Sequence, residues 1–173
     1  LLGSQNYAKE YYFEVIKAKT AELFAAATYS ATMLATNDKD LGLKLHDFGL
    51  NLGIAFQIID DLLDYESSRD IIGKNPGDDF YEGKITLPLI SLFGLANQEE
   101  QQMIKDLFAK NIRCKEDLSH ISTLMHKYDI YQQIRKDAES FLAKCYDYIA
   151  NTPELKNSTY LIFILDLAKE RVK

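Results

Sequence analysis

The sequence predicts an all-α fold, and three observations support this prediction. Apolar residues recur every three to four positions along most of the chain, which is the period of an amphipathic helix. The 173 residues include only eight glycines and three prolines, so helix-breaking residues are few. No segment of useful length alternates apolar and polar residues as a half-buried strand would. We therefore predict a bundle of about seven helices or helical segments.

The first half of the chain contains three predicted helices. Ser4 is a suitable N-cap for a short helix that continues through Ile16. The second helix, 19–35, is rich in alanine and apolar over most of its surface, so we predict that it is buried. After a polar turn over 37–40, a long helix runs from Leu41 to about Tyr65. Its inward face is predicted to carry Leu45, Phe48, Leu52, Ala55, Phe56, Ile59 and Leu63.

A long polar loop, from Glu66 to about Gly83, separates the two halves of the chain. A loop of this length within a compact helical domain is usually functional or disordered. Residues 85–95 then form a short apolar helix with Pro88 in its first turn, where proline is tolerated. Pro153 is expected near the first position of the last helix for the same reason. Amphipathic helices are predicted over 98–109, 115–127, 130–150 and 153–172.

Composition excludes several classes of protein. The net charge of −6 argues against a nucleic-acid partner, because phosphate binding needs a basic surface. No apolar run approaches the ~20 residues that span a bilayer, and no signal peptide is evident, so we expect no transmembrane segment. Cys114 and Cys145 lie far apart without metal-ligand spacing, and we interpret them as reduced thiols in a cytoplasmic protein.

Three carboxylates cluster at the end of the long predicted helix. Asp60 and Asp64 lie four residues apart and share one helix face, Asp61 is adjacent, and Gln57 continues the same stripe. Like charges at this spacing destabilise a helix by about 0.2–0.5 kcal/mol. A divalent cation would compensate, and oxygen ligands of this kind suit Mg²⁺. The competing interpretation is an acidic helix end that faces solvent.

Neighbouring features favour the metal-binding interpretation. The acids follow a nearly unbroken apolar stretch over 52–59, so they lie at the end of a buried helix. The following loop carries Lys74 and Lys84 among glycines that allow close approach of the backbone. Lys19 and Thr20 lie at the start of the most apolar helix in the chain. A cation and a hydroxyl are costly to bury there unless they have a partner or a function. Carboxylates for a metal, lysines for phosphate and an apolar wall indicate a diphosphate attached to a hydrophobic tail.

Three segments resemble the trans-type polyprenyl diphosphate synthases. They read KTAELF over 19–24, LGIAFQIIDDLLDY over 52–65 and GKNPGDDFYEGKITLPLI over 73–90, in the family's order and at its spacing. The third segment is most similar to bacterial octaprenyl and decaprenyl diphosphate synthases, which make quinone (ubiquinone) side chains. The resemblance implies an isoprenoid-synthase-type helical bundle, of which residues 1–173 are the C-terminal part. It also implies a Mg²⁺-dependent prenyltransferase that adds isopentenyl diphosphate units to an allylic diphosphate.

The resemblance further implies roles for individual residues. Asp60 corresponds to a direct metal ligand, whereas Asp61 and Asp64 correspond to acids that act mainly through metal-bound water. The lysines expected at the allylic diphosphate are Lys19 and Lys74, with Lys84 flanking the same pocket. Oxygens of Thr20 and Gln57 are expected to face the developing allylic cation. Phe56 corresponds to a wall residue near the isopentenyl diphosphate.

Part of the family pattern is not found in these 173 residues. The first aspartate-rich motif, the arginine pair after it and the basic cluster for isopentenyl diphosphate would all precede Leu1 in family order. We therefore expect an N-terminal half that is absent here, and no chain elongation by this chain alone. The resemblance also implies a homodimer, and we expect association through the apolar helix over 21–34.

Three alternatives remain open on the sequence. The chain could be a non-catalytic or regulatory subunit of a heteromeric prenyl diphosphate synthase. It could belong to a terpene cyclase or a head-to-head prenyl synthase, which share the fold and the acid motifs. It could also be a plain helical interaction module. The retained Lys19, Asp60 and Lys74 count against loss of catalysis, and the FQxxDD and GKxxLP strings favour the chain-elongating group.

Overall fold

The structure is a computed structural model, and it describes residues 5–66, 77–155 and 158–171, with side chains from Ala8 onward. All regular secondary structure in these ranges is helical, as predicted. The α-helices are α1 (Gln5–Ile16), α2 (Glu22–Thr36), α3 (Lys39–Tyr65), α4 (Asp78–Glu82), α5 (Leu87–Leu95), α6 (Gln98–Ala109), α7 (Lys115–Lys127), α8 (Ile130–Ala150) and α9 (Thr159–Glu170). A π-helical turn over Lys17–Ala21 joins α1 to α2, and a 3₁₀ turn over Pro153–Leu155 follows α8.

Capping residues begin two of the helices, α6 at the predicted residue and α3 two residues before the predicted Leu41. The Asn97 side chain accepts a hydrogen bond from Glu100 N at 2.9 Å, and the Glu100 side chain accepts one from Asn97 N at 3.0 Å. This reciprocal capping box starts α6 at the predicted residue. Asp38 Oδ1 likewise accepts from the backbone nitrogens of Asp40 and Leu41, each at 3.0 Å, at the start of α3.

Three local features differ from the prediction. The predicted loop contains α4, which lies between Gly77 and Gly83, both in the left-handed region at φ 90° and 76°. The predicted helix over 153–172 is divided, because Ser158 accepts from Leu161 N and begins a separate helix, α9. The predicted helix over 19–35 begins with the π-helical turn, which shifts its α-helical part to start at Glu22.

The chain divides into two compact units. The first unit comprises Leu1–Tyr12 and Asp60–Ile134, and the second comprises Phe13–Ile59 and Arg135–Lys173. Each buries its own set of apolar side chains, and a fully buried Leu, Ile or Phe contributes about 1.5–3 kcal/mol. The core of the first unit includes Leu62, Phe80, Leu87, Leu89, Leu92, Ile104, Ile121, Met125 and Ile130. The core of the second includes Ala21, Ala25, Phe48, Ile58, Cys145 and Leu165.

The alanine-rich helix α2 is not buried all round, contrary to the prediction. Within it only Ala25 and Thr32 are buried, whereas Leu23 is 75% exposed and Leu34 is 90% exposed. Its contact face is close to α3, since a Cβ on Gly49 would come within 2.6 Å of the Phe24 carbonyl oxygen. A helix can be apolar all round and still be covered on one side only, because composition does not supply the covering element. None of the helices in the described ranges is both long and apolar enough to cross a bilayer.

Candidate functional site

The last turn of α3 carries Asp61 into the interior of the first unit. Asp61 is only 5% exposed. Its Oδ2 accepts a hydrogen bond from the Tyr12 hydroxyl at 2.7 Å. This length is typical of a hydroxyl that donates to a carboxyl oxygen. Burial, and next the nearby charge of Asp61, raise the pKa of Tyr12 far above its ordinary value. The tyrosine therefore stays neutral and acts as a hydrogen-bond donor.

Asp64 lies beside α4 in the same unit. Its Oδ2 accepts a hydrogen bond from Asp79 N at 2.9 Å, and its carbonyl oxygen accepts one from Gly77 N at 2.7 Å. Partial burial, followed by the negative charge of Asp79, raises the pKa of Asp64 to about 6. The acid motif and the segment that begins at Gly77 are thus in direct contact, although the sequence placed them at opposite ends of a long loop.

Lys84 is held by carboxylates of its own segment. Its ammonium lies 2.7 Å from Asp79 Oδ1 and 2.7 Å from Glu82 Oε2. Hydrogen bonds to Asp79 and then to Glu82 raise the pKa of Lys84 above its ordinary value, so it is fully charged at neutral pH. Within the described residues, Lys84 partly neutralises the acid cluster. An ammonium has three donors, so these two contacts do not by themselves prevent Lys84 from binding a diphosphate.

Thr20 and Gln57 meet in the second unit. The Thr20 hydroxyl donates to Gln57 Oε1 at 2.7 Å across 37 residues of sequence. Thr20 lies in the π-helical turn, an uncommon element that is frequent at functional sites. Because its proton is used in this bond, the lone pairs of the Thr20 oxygen remain available to an electron-poor partner.

Phe56 contributes to an apolar recess in the second unit. Its ring is 38% exposed and lies 5.7 Å from the Phe24 ring, centroid to centroid. The Arg171 guanidinium carbon lies 5.1 Å from the Phe56 centroid, within the range of a cation–π contact. The residues that line the recess are Ala55, Phe56, Ile59, Leu142, Ala168 and Arg171. The role of Phe56 as a wall residue near the isopentenyl diphosphate remains a prediction.

The remaining predicted site residues are placed as follows. Lys19 is exposed in the π-helical turn of the second unit. Asp60 is partly exposed and begins the part of α3 that belongs to the first unit. Lys74 lies outside the described residues.

The oxygen donors of the first unit fit a hard divalent cation. Asp64 is half-buried next to Asp79, and their mutual repulsion contributes to the raised pKa of Asp64. A cation bound there would offset this repulsion, and carboxylate oxygens are the ligands that Mg²⁺ and Ca²⁺ prefer. No three His, Cys, Asp or Glu side chains already form a metal-binding cluster in the described ranges. The assignment of Asp60, Asp61 and Asp64 as metal ligands therefore remains a prediction.

Two residues of this region were missed by sequence reasoning. Neither Tyr12 nor Asp79 was assigned a functional role from the sequence. A signal for Tyr12 was present, because it lies four residues from both Ala8 and Ile16, which are buried. A hydroxyl on the buried face of a helix needs a hydrogen-bond partner. No local signal distinguished Asp79 from Asp78.

Comparison with known proteins agrees with these features. The family model described as Polyprenyl synthetase matches residues 3–125. The octaprenyl diphosphate synthase of Haemophilus influenzae is 32% identical over 160 residues, which are 92% of this chain and 48% of that protein. The all-trans-nonaprenyl-diphosphate synthase (geranyl-diphosphate specific) of Rhodobacter capsulatus is 33% identical over 95% of this chain and 50% of its own length.

Solved structures give the same result. A decaprenyl diphosphate synthase from Rhodobacter capsulatus superposes with a TM-score of 0.87 at 36% identity, over 99% of this chain and 52% of that one. A polyprenyl synthase from Caulobacter crescentus, complexed with calcium and isoprenyl diphosphate, superposes with a TM-score of 0.86 at 32% identity. This match covers 98% of the present chain and 51% of the Caulobacter chain. The chain therefore spans about half the length of the relatives it matches.

The family model covers well over half of the chain, and relatives and solved structures of the same kind match nearly all of it. The aspartate-rich turn of α3 and the Thr20–Gln57 pair lie within the matched residues. The chain belongs to the polyprenyl synthetase family.

Proposed function

We propose that this chain forms the part of a trans-prenyl diphosphate synthase that binds the diphosphate of an allylic substrate through divalent cations. The complete enzyme would add isopentenyl diphosphate units to that substrate. The observation that supports this most is the contact of Asp64 with Asp79, which joins the aspartate-rich motif to the Gly77–Lys84 segment. Its long-chain relatives favour a long polyprenyl product of the kind found in quinone side chains.

The reaction begins with ionisation of the allylic diphosphate. The carbon–oxygen bond breaks, the diphosphate leaves with the electron pair, and an allylic cation forms. Mg²⁺, when bound, would supply positive charge that stabilises the negative charge on the departing oxygens. Asp60 would be its direct ligand in this chain, and Asp61 and Asp64 would act through water. Lys19 and Lys74 would donate hydrogen bonds to the diphosphate.

Thr20 and Gln57 would stabilise the allylic cation. Since the Thr20 proton is donated to Gln57, the Thr20 oxygen can present lone pairs rather than a proton. Neutral dipoles of this kind stabilise a cation without forming a bond to it. The double bond of isopentenyl diphosphate then attacks the cation, and the departing diphosphate takes the proton that is lost. These reaction steps need no nucleophilic side chain from the protein.

Binding of a metal–diphosphate complex tests the proposal directly. We expect inorganic diphosphate, or a bisphosphonate, to raise the thermal midpoint of the full chain with Mg²⁺ and not with EDTA. A ligand at about 100 times its Kd stabilises a protein by roughly 2.7 kcal/mol. Asp64→Asn should greatly reduce this response, because it removes a carboxylate from the cluster.

The matched control is Asp166→Asn on α9, which changes an exposed carboxylate bonded to Tyr146. It should keep the wild-type response. Stabilisation that is independent of Mg²⁺, or equal losses in both variants, would contradict the proposal.

A further inference from the structure

We propose that Tyr12 is a positioning residue that orients the Asp61 carboxylate for cation binding by the aspartate-rich motif, an inference that rests on the proposed function. No role for this tyrosine follows from the acid motif itself, because Tyr12 precedes Asp61 by 49 residues. It lies on α1, in a segment that belongs to the same compact unit as Asp61. The inferred role follows from the geometry of the contact between the two side chains.

The contact is buried on both sides. Tyr12 and Asp61 are each 5% exposed, and the oxygen–oxygen distance is 2.7 Å. A carboxylate removed from water needs hydrogen bonds, since leaving a buried polar group unsatisfied is destabilising, and more so when the group is charged. The bond commits Oδ2 and so restricts the rotation of the Asp61 side chain. The orientation of Oδ1 is then determined by Tyr12 as well as by the helix.

The chemical nature of the donor is important. Lys84 brings a full positive charge to Asp79, whereas the hydrogen bond that Tyr12 donates to Asp61 comes from a neutral hydroxyl. A neutral donor orients a carboxylate without itself cancelling the negative charge. These are the properties of outer residues that orient metal-binding groups.

The measurement is the Mg²⁺ concentration that gives half of the thermal stabilisation by inorganic diphosphate in the full chain. Loss of an outer orienting residue typically weakens metal affinity by 10–100-fold, so we expect Tyr12→Phe to raise this concentration by about tenfold. Tyr146→Phe is the matched control, because it removes another Tyr–Asp hydrogen bond, the 2.8 Å bond to Asp166, in the second unit. Its Mg²⁺ requirement should equal that of the wild type.

A double variant separates positioning from a general loss of stability. If Tyr12 acts through Asp61, adding Tyr12→Phe to Asp61→Asn should cause no further rise in the Mg²⁺ requirement. Should Tyr12→Phe fail to fold, 4-fluorophenylalanine at position 12 fills nearly the same volume without donating a proton, and it should show the same rise.

Different results overturn the two proposals. A wild-type response to diphosphate and Mg²⁺ with an unchanged requirement in the position-12 variants would overturn the positioning role alone. An additive rise in the double variant would do the same. A wild-type chain without any Mg²⁺-dependent response would contradict the proposed function, and the inference with it.

Discussion

Hydrogen-bond partners distinguish acids that look alike in the sequence. Asp61 is bonded to a neutral tyrosine, Asp79 to a lysine, and Asp64 to a backbone nitrogen. Burial and neighbouring charges together raise the pKa of Asp64 to about 6. The three acids therefore differ in how strongly each would benefit from a bound cation. Residue type and spacing predicted the cluster but not this difference.

Glu100 provides a test of electrostatics in the first unit. Hydrogen bonds from Lys127 and then Tyr128, both at 2.6 Å, lower the pKa of Glu100 to about 2. An unfolded Glu titrates near 4.3, so the unfolded state binds more protons between these values. The stabilisation contributed by Glu100 is therefore present above about pH 4.3 and is lost as the pH falls towards 2.

We expect Glu100→Gln to destabilise the chain at pH 7 and to match the wild type more closely at pH 2.5. Urea-denaturation midpoints across this range would measure the difference. The control is Glu154→Gln, which changes an exposed acid of the 3₁₀ turn. Its urea-denaturation midpoints should change with pH in parallel with those of the wild type. A Glu100→Gln profile that also runs parallel would be inconsistent with the assigned pKa.

At the scale of secondary-structure elements, some helices are determined by local capping residues and others by tertiary contacts. The boundaries of α6 were predictable, because Asn97 and Glu100 form a capping box within four residues. The five-residue helix α4 was not, because short helices are marginal by themselves. Its backbone is anchored by distant residues, through Asp79 N to Asp64 and through Arg113 Nε to Phe80 O at 2.9 Å.

Helix α2 leads to a prediction about self-association. Leu23 and Leu34 on this helix are 75% and 90% exposed, and apolar surface of this kind is typical of interfaces. We expect the chain to form a dimer through α2, and Leu34→Glu to weaken that dimer by at least tenfold in Kd. Light scattering over a concentration series would measure it. Ile112→Glu, at a residue 86% exposed between α6 and α7, is the matched control.

A dimer that tolerates Leu34→Glu as well as it tolerates Ile112→Glu would rule out α2 as the interface. A monomer at every concentration would contradict the expectation of self-association itself.

At the scale of the whole molecule, we expect that activity depends on more than this chain. The sequence contains one aspartate-rich motif, and the chain spans about half the length of its relatives. We expect the purified 173-residue chain to produce no elongated prenyl diphosphate from allylic and isopentenyl diphosphates with Mg²⁺. A single acid motif would not hold enough divalent cations to stabilise the leaving group. Product analysis by mass spectrometry would check this, and elongation above a no-protein control would refute it.

The sequence by itself determined the all-α class, most helix boundaries and the family. Helical periodicity, capping residues and linked motifs act over a few residues, so they can be read directly along the chain. The tertiary structure decided which acids are buried, what holds each of them, and that Thr20 meets Gln57. Those contacts join residues 15 to 49 positions apart. Pairs at such separations leave no periodic pattern in the sequence, because they arise only when packing brings distant segments together.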